Sequence, residues 1–231
     1  MKVAILAGGL GTRLGALARG LPKAMIMAGR RPFLEWVIES FSRRGFKEFV
    51  LLTGHHSDVI EAHFGRGRNE VRFEYSREKD LLGTGGAVRE AAHLLGDLFI
   101  LTYGDVLRWF DYDRFVQKHQ QSALAVYPYS RDMTSIDSGN VALGDEGRRV
   151  TAFVKGAPHL KLPFVDAGFS LISAEALEFL PKGGVCSFEQ SVYPALAARG
   201  ELDAEIVDLE FYDIGNPADL AATRAALEPQ A

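Results

Sequence analysis

Short apolar runs alternating with helical patterns through the first half of the chain predict an α/β fold. Its mostly parallel sheet would carry helices on both faces, giving three layers. The rhythm changes in the second half, where two strand-like runs flank a glycine-bounded turn, and this predicts an inserted hairpin region. The length is 231 residues, 47% hydrophobic and 24% charged, enough for one large core without covalent staples.

Val3–Ala7 is apolar and closed by glycines, so it reads as a buried strand leading into the glycine-rich loop Gly8–Gly15. Between Pro32 and Arg44, the residues Phe33, Leu34, Val37, Ile38 and Phe41 fall at helical spacing, and Gly45 supplies a stop. Phe49–Thr53 is a second buried strand, and Ser57–Phe64 a short helix with Ser57 as its cap. Val71–Tyr75 alternates as a half-exposed strand does. Ala87–Leu95 is helical, and Leu98–Thr102 is a strand ending at Tyr103-Gly104-Asp105; Tyr112–Gln121 and Ala123–Tyr129 add a helix and a strand. Asn140–Leu143, the turn Gly144–Gly147 and Val150–Val154 form the hairpin, and Ala167–Ile172 is a further strand. Ser187 with Gln190 caps a helix running to Arg199, Leu202–Val207 is strand-like, and Asn216-Pro217 opens a final helix to Leu227. No repeat or linker interrupts the chain, which predicts one continuous domain.

Charge and cysteine content exclude several functions. The formal net charge is −4, which argues against a grip on a nucleic-acid backbone and leaves room for a local basic pocket. Cys186 is the one cysteine, so no intrachain disulfide asks for an oxidising compartment. The longest stretch free of Asp, Glu, Lys and Arg runs from His119 to Ser130, short of the roughly 20 apolar residues of a spanning helix. The N-terminal apolar run ends in glycines and Arg13 without a cleavage-site pattern. A soluble, cytoplasmic protein with no membrane partner is expected.

Ligands of open α/β sheets bind at the carboxyl ends of the strands, and three segments at such ends are unusual. In LAGGLGTRL, Leu6–Leu14, glycines expose backbone N–H groups to a phosphate, while Arg13 and Lys23 add positive charge. No Gly-Lys pair makes it a P-loop, and Leu14 stands where a dinucleotide fingerprint needs its third glycine. In Leu82–Ala87, LGTGGA, dense glycines suit backbone contact with a flat base. Asp105 follows a buried strand and suits Mg²⁺, as does Asp213 in FYDIG. If both follow strands of one parallel sheet, their loops meet at the same edge.

These motifs, in the order LAGGLGTRL with Pro22-Lys23, LGTGGA, Tyr-Gly-Asp at 103–105 and FYDIGNP at 211–217, resemble those of sugar-1-phosphate nucleotidyltransferases over nearly the whole chain. Among the branches, the chain is most similar to D-glycero-α-D-manno-heptose-1-phosphate guanylyltransferases. The resemblance implies a Rossmann-like, glycosyltransferase-A-type fold with an NTP-binding part over about 1–130 and a sugar-phosphate part over about 131–231. It implies GTP and a heptose 1-phosphate as substrates, Mg²⁺ or Mn²⁺ as cofactor, and a monomer or homodimer. Arg13, Lys23 and Asp105 would be catalytic; Ala7, Gly8, Gly9, Gly11, Thr12, Arg13, Gly83, Thr84 and Gly85 would bind the nucleotide. Gly104, Asn140, Lys155, Asp166 and Gly168 would meet the sugar phosphate, and Asp105 and Asp213 the metal. Many relatives carry Asn where Tyr103 stands, and Glu-Lys where this chain has Val154-Lys155. Rival readings are a uridylyl-, thymidylyl- or cytidylyltransferase on another phosphate or phosphonate, or a nucleotide-sugar sensor without turnover.

His55, His56, Asp58 and His63 invite a zinc reading, but Asp58 and His63 fall on different helix faces, so a solvated helix end is expected. Cys186 reads as structural, and Glu189 and Tyr193 as packing residues of the helix from Ser187.

Overall fold

The computed structural model describes residues 1–228 except 10, 19, 131–137, 145, 157 and 209. Leu10 of the glycine loop and Asp145 of the hairpin turn therefore lie outside the described residues. The chain divides into two compact units, one formed by residues 1–81, 102–114 and 209–231, the other by 82–101 and 115–208.

The first unit starts with β1 (Lys2–Leu6) and two 3-10 turns, Thr12–Leu17 and Lys23–Met25. The short β2 (Met27–Ala28) and β3 (Arg31–Pro32) follow, then α1 (Phe33–Ser42), β4 (Glu48–Thr53), α2 (Ser57–Phe64), β5 (Gly67–Arg68) and β6 (Val71–Arg77). The chain continues through α3 (Gly83–Leu95), β7 (Leu98–Tyr103), β8 (Val106–Arg108) and α4 (Tyr112–Lys118). The second unit then holds β9 (Ala123–Pro128), β10 (Val141–Leu143), β11 (Val150–Phe153), β12 (Phe164–Ser173), α5 (Phe188–Arg199) and β13 (Asp203–Ile206). The first unit regains the chain with β14 (Phe211–Asp213) and α6 (Pro217–Leu227).

In the first unit β1, β4 and β6 are parallel. Val3, Ala4 and Ile5 on β1 and Phe49 to Leu52 on β4 are all buried, the unbroken apolar run of a strand covered on both faces. On β6 the alternation of Arg72, Phe73 and Glu74 leaves one face to solvent. Trp36 on α1 is buried, and its indole N–H donates to the Ala28 carbonyl at 2.9 Å. Phe41 stacks on Tyr112 with ring centroids 3.8 Å apart.

The second unit is more mixed. β12 runs antiparallel to β9 and β10, and β13 runs parallel to β9. β10 and β11 form the expected hairpin, with Val141 opposite Phe153. Phe115 meets Phe169 edge-on within this unit. No helix among the described residues is long and apolar enough to cross a membrane.

Two helix starts differ from expectation. Ser57 is the first residue of α2, not its cap; the cap position is His56, in the left-handed conformation at φ 59. The helix expected from Ala87 already begins at Gly83, so LGTGGA forms its opening turn. The capping residues Ser187 and Asn216 stand where expected, accepting from Gln190 N and from Ala218 N and Asp219 N.

Glu205 on β13 pairs with Lys118 Nζ at 2.9 Å and His119 Nε2 at 3.0 Å. Burial raises its carboxyl, and the bonds and charges of Lys118 and His119 outweigh this, holding it below its ordinary value. Such a group stabilises the fold above its unfolded pKa of about 4.3, and the contribution is lost as pH falls through the lower folded value. The stability difference between wild type and Glu205→Gln in urea unfolding should be largest near pH 6–7 and close below about pH 4. A difference that stays constant into acid would refute this.

Candidate active site

The parallel register aligns the carboxyl ends of β1, β4 and β6, with Leu6 opposite Leu52 and Thr53 opposite Arg77. Beyond these ends the pattern continues, as Ala7 N donates to Leu52 O at 2.8 Å and Glu78 N to Thr53 O at 2.9 Å. Gly8, Gly54 and Glu78 are thereby brought together. A Cβ on Gly8 would lie 3.2 Å from the Glu78 Oε2 atom and 3.3 Å from Gly54 N. Glu78 is only 9% exposed. It lines a cleft of about 760 Å³ with His55, His56, Asp58, Lys79 and Asp80, within the size range of small-ligand sites. His63 lies outside this lining and pairs instead with Glu35.

The glycine loop closes on Lys23. Gly11 is left-handed at φ 63, and a Cβ there would come 3.3 Å from the Lys23 Cβ, while Lys23 N donates to Gly9 O at 3.2 Å. Thr12 and Arg13 are exposed on the 3-10 turn that follows. The Lys23 side chain, 9% exposed, reaches the Asp105 carboxylate at 2.6 Å. Gly104 sits just before it, its N–H bonded to Leu6 O at 2.9 Å.

Asp213 arrives by a route that sequence reasoning misses. It ends no strand of the parallel sheet; β14 and β8 form a separate antiparallel ribbon in which Asp213 faces Val106, the residue after Asp105. Helix α6 anchors it through Thr223, whose hydroxyl donates to the Asp213 carbonyl at 2.8 Å, and the Gly215 N–H donates to its carboxylate. Burial and then the neighbouring Asp105 charge raise the Asp213 carboxyl above its ordinary value; Lys23 and the Gly215 N–H pull it back, and Asp219 adds to the rise. Two adjacent carboxylates, one destabilised by its like-charged neighbour, are a donor set suited to a hard divalent cation.

Two groupings stand in the second unit. Asn140 Oδ1 accepts from Asp166 N at 2.9 Å, and Asp166 Oδ1 accepts from Gly168 N at 2.7 Å. Val154, the residue before Lys155, donates its N–H to the Asn140 carbonyl at 2.8 Å. Asn140, Lys155, Asp166 and Gly168 are thus neighbours. The second grouping joins the start of α3 to the start of α5. Thr84 Oγ1 accepts from Phe188 N at 2.9 Å and donates to Glu189 Oε2 at 2.6 Å; Gly85 N donates to Cys186 O.

This packing accounts for Gly83 and Gly85 of LGTGGA, while a Cβ on Gly86 would meet the Leu82 side chain. A Cβ on Gly83 would lie 2.5 Å from Cys186 O, and one on Gly85 2.8 Å from the Cys186 sulfur. Glu78 and Glu189 are the residues sequence reasoning passed over. A carboxylate one position past a strand of the glycine-loop sheet is the signal that could have found Glu78. Nothing in the sequence shows which groups Glu189 meets.

The Nucleotidyl transferase family profile matches residues 2–230. The chain is 31% identical to the D-glycero-alpha-D-manno-heptose 1-phosphate guanylyltransferase of Campylobacter jejuni, over 95% of this chain and 96% of that one. It is 28% identical to the enzyme of the same name from Aneurinibacillus thermoaerophilus, over 99% of both chains. The crystal structure of HddC from Yersinia pseudotuberculosis superposes with a TM-score of 0.81 at 25% identity, covering 98% of this chain and 99% of that one. The same protein has been solved in complex with GMP-PN.

Gly83→Ala should test the clasp. At φ 74 a side chain costs about 1–2 kcal/mol, and its Cβ would collide with a backbone carbonyl. A loss of about 2 kcal/mol or more lowers Tm by roughly 4–8 °C in a chain of this size. An unchanged melting temperature would refute the packing argument.

Proposed function

The chain belongs to the nucleotidyl transferase family, and we propose that within it the enzyme transfers the guanylyl group of GTP to a manno-configured heptose 1-phosphate, releasing pyrophosphate. The observation that carries this reading is the Lys23–Asp105 pair at 2.6 Å with Asp213 beside it. A sensor that binds without turnover has no need of such a set.

A sugar-phosphate oxygen attacks the α-phosphorus in line, a P–O bond forms, and the bond to the β-phosphate breaks with its electron pair leaving on pyrophosphate. Positioning and charge neutralisation supply the catalysis, so no nucleophile of the protein is required. Lys23 carries three N–H donors, and Asp105 takes one, leaving donors for phosphate oxygens. The backbone around Gly8, Gly9 and Gly11, with Thr12 and Arg13, would hold the triphosphate. Asp105 and Asp213 would hold Mg²⁺ or Mn²⁺, which when bound neutralises charge on the phosphates. Asn140, Lys155, Asp166 and Gly168 would meet the sugar phosphate, with Lys155 supplying its positive charge.

Two observations support guanine. The most similar relatives described above are guanylyltransferases for this heptose phosphate. Independently, Glu78 lines the cleft beside Gly8, where a ligand edge carrying N–H donors would meet a carboxylate. Guanine presents adjacent N1–H and N2–H donors to such a group, whereas cytosine N3 is an acceptor and uracil has a single N–H between two carbonyls. A site built to pair polar edges rejects analogues by leaving buried groups unpaired.

The test is pyrophosphate release from GTP, ATP, UTP, CTP and dTTP, each with heptose, mannose, glucose and N-acetylmuramate 1-phosphates. GTP with the manno-heptose 1-phosphate should give the highest kcat/KM; a best value with UTP or CTP would overturn the guanylyl reading. Activity should vanish with EDTA and return with Mg²⁺ or Mn²⁺. Removing one member of a buried ion pair costs stability because its partner is left uncompensated, a cost reduced here because Asp105 is 32% exposed and can be solvated, whereas loss of one preorganised charge costs about 3 kcal/mol in the transition state. Lys23→Met should therefore lower kcat/KM about a hundredfold or more in protein that circular dichroism shows to be folded at the assay temperature. Near-normal turnover in that variant would refute the role of Lys23.

A further inference from the structure

We infer that Glu189 is a positioning residue for the sugar phosphate, holding the Lys155 ammonium in place and tying it to the Thr84 hydroxyl. The inference rests on the functional reading above and names a residue which that reading does not use. Glu189 is 2% exposed, and one of its oxygens, Oε2, collects three donors: Thr84 Oγ1 at 2.6 Å, Ser187 Oγ at 2.5 Å and Lys155 Nζ at 3.0 Å. Burying a carboxylate costs heavily unless it is paired and hydrogen-bonded. A packing position in the first turn of α5 would be filled at no such cost by an apolar residue.

The two ends of the pair differ in exposure. Glu189 is sealed inside the second unit, while the Lys155 side chain is 46% exposed. The buried carboxylate is therefore fixed and the lysine is the movable partner. An ammonium has three N–H donors, so the one given to Glu189 leaves two directed outward for the oxygens of a phosphate monoester. Tethering spares the entropy of ordering a long side chain when the phosphate arrives.

Thr84 extends the arrangement. Its hydroxyl donates to Glu189 and accepts from Phe188 N, so the carboxylate that holds Lys155 also fixes the first turn of α3. Lys155 and the LGTGGA segment, two places the sequence marks for substrate contact, share one buried oxygen. Glu189 touches no substrate in this scheme; it acts through its partners.

Steady-state kinetics with the pair Glu189→Gln and Lys155→Met tests this. Gln keeps the shape and an acceptor for Thr84 and Ser187 but removes the charge that holds the ammonium. Glu189→Gln should raise KM for the sugar 1-phosphate about tenfold, the loss of one charge-assisted hydrogen bond, with KM for the nucleoside triphosphate unchanged. In the Lys155→Met background the same substitution should have no further effect on that KM, because the partner it acts through is gone. Both KM values moving together, neither moving, or full additivity in the double variant would overturn the inference. If Glu189→Gln does not fold, Lys155→Met alone must show the same selective rise, and an unchanged sugar-phosphate KM there overturns it as well. Wild-type protein inert toward every sugar 1-phosphate would overturn the functional reading itself; an active wild type with unselective variants overturns the inference alone.

Discussion

The in-register parallel pairing of β1, β4 and β6 is the constraint from which the first unit's chemistry follows. Because Leu6 lies opposite Leu52 and Thr53 opposite Arg77, the segments after all three strands leave at one edge. A one-residue slip would turn every side chain to the other face and carry Gly8, Gly54 and Glu78 apart. The backbone bonds of Ala7 and Glu78 to the neighbouring strand extend the ladder beyond the strand ends. A side chain on Gly8 would press on Glu78 and the Gly54 backbone, which would have to give by a few tenths of an ångström. A burial pattern that needs nothing beyond apolar strands thus fixes where a carboxylate and a glycine loop must meet.

Charge is disposed in opposite senses in the two units. In the first, the cation is the buried member: Lys23 is 9% exposed and Asp105 32%. In the second, the anion is buried: Glu189 is 2% exposed and Lys155 46%. Desolvation takes back most of what such pairs gain in attraction, so neither is well explained as a contribution to stability. The accessible member is the one for which a ligand can compete. An incoming cation would compete for Asp105 and an incoming anion for Lys155, matching the metal and sugar phosphate of the proposed reaction.

Most of the fold was legible because it rests on apolar periodicity and turn chemistry. The unbroken runs at β1, β4, β7 and β9, the hairpin of β10 and β11, and the caps at Ser187 and Asn216 all lie where local pattern puts them. What escaped was set by tertiary contact. Ser57 looks like a cap, but a left-handed His56 takes that position. Asp213 looks like the end of a parallel strand, yet its pairing with Val106 is antiparallel, and three-residue strands carry no signal of their direction. Lys23 and Asp105 could be named from motifs, but that they touch depends on a long-range pairing. Glu189 was invisible as a hub because two of its three donors, Lys155 and Thr84, come from segments more than thirty and more than a hundred positions away.

Glycine density illustrates the same limit and also points beyond it. Gly83 and Gly85 are required by the backbone and sulfur of Cys186, Gly8 is crowded by Glu78 and the Gly54 backbone, and Gly11 sits in a left-handed turn closed on Lys23. Each has a reason inside the protein, so none alone argues for a ligand. Gly9 is different: its φ is not positive, and a Cβ there would meet nothing within 4 Å. Conformation and packing leave its missing side chain unexplained, although glycine carries an entropic cost in the folded state. In the proposed reaction a triphosphate lying against the Gly9 N–H would supply a reason, because a side chain there would hold the phosphate oxygens away from the backbone donors. Within the glycine loop, Gly9 is therefore the residue whose identity accords best with the proposed nucleotide.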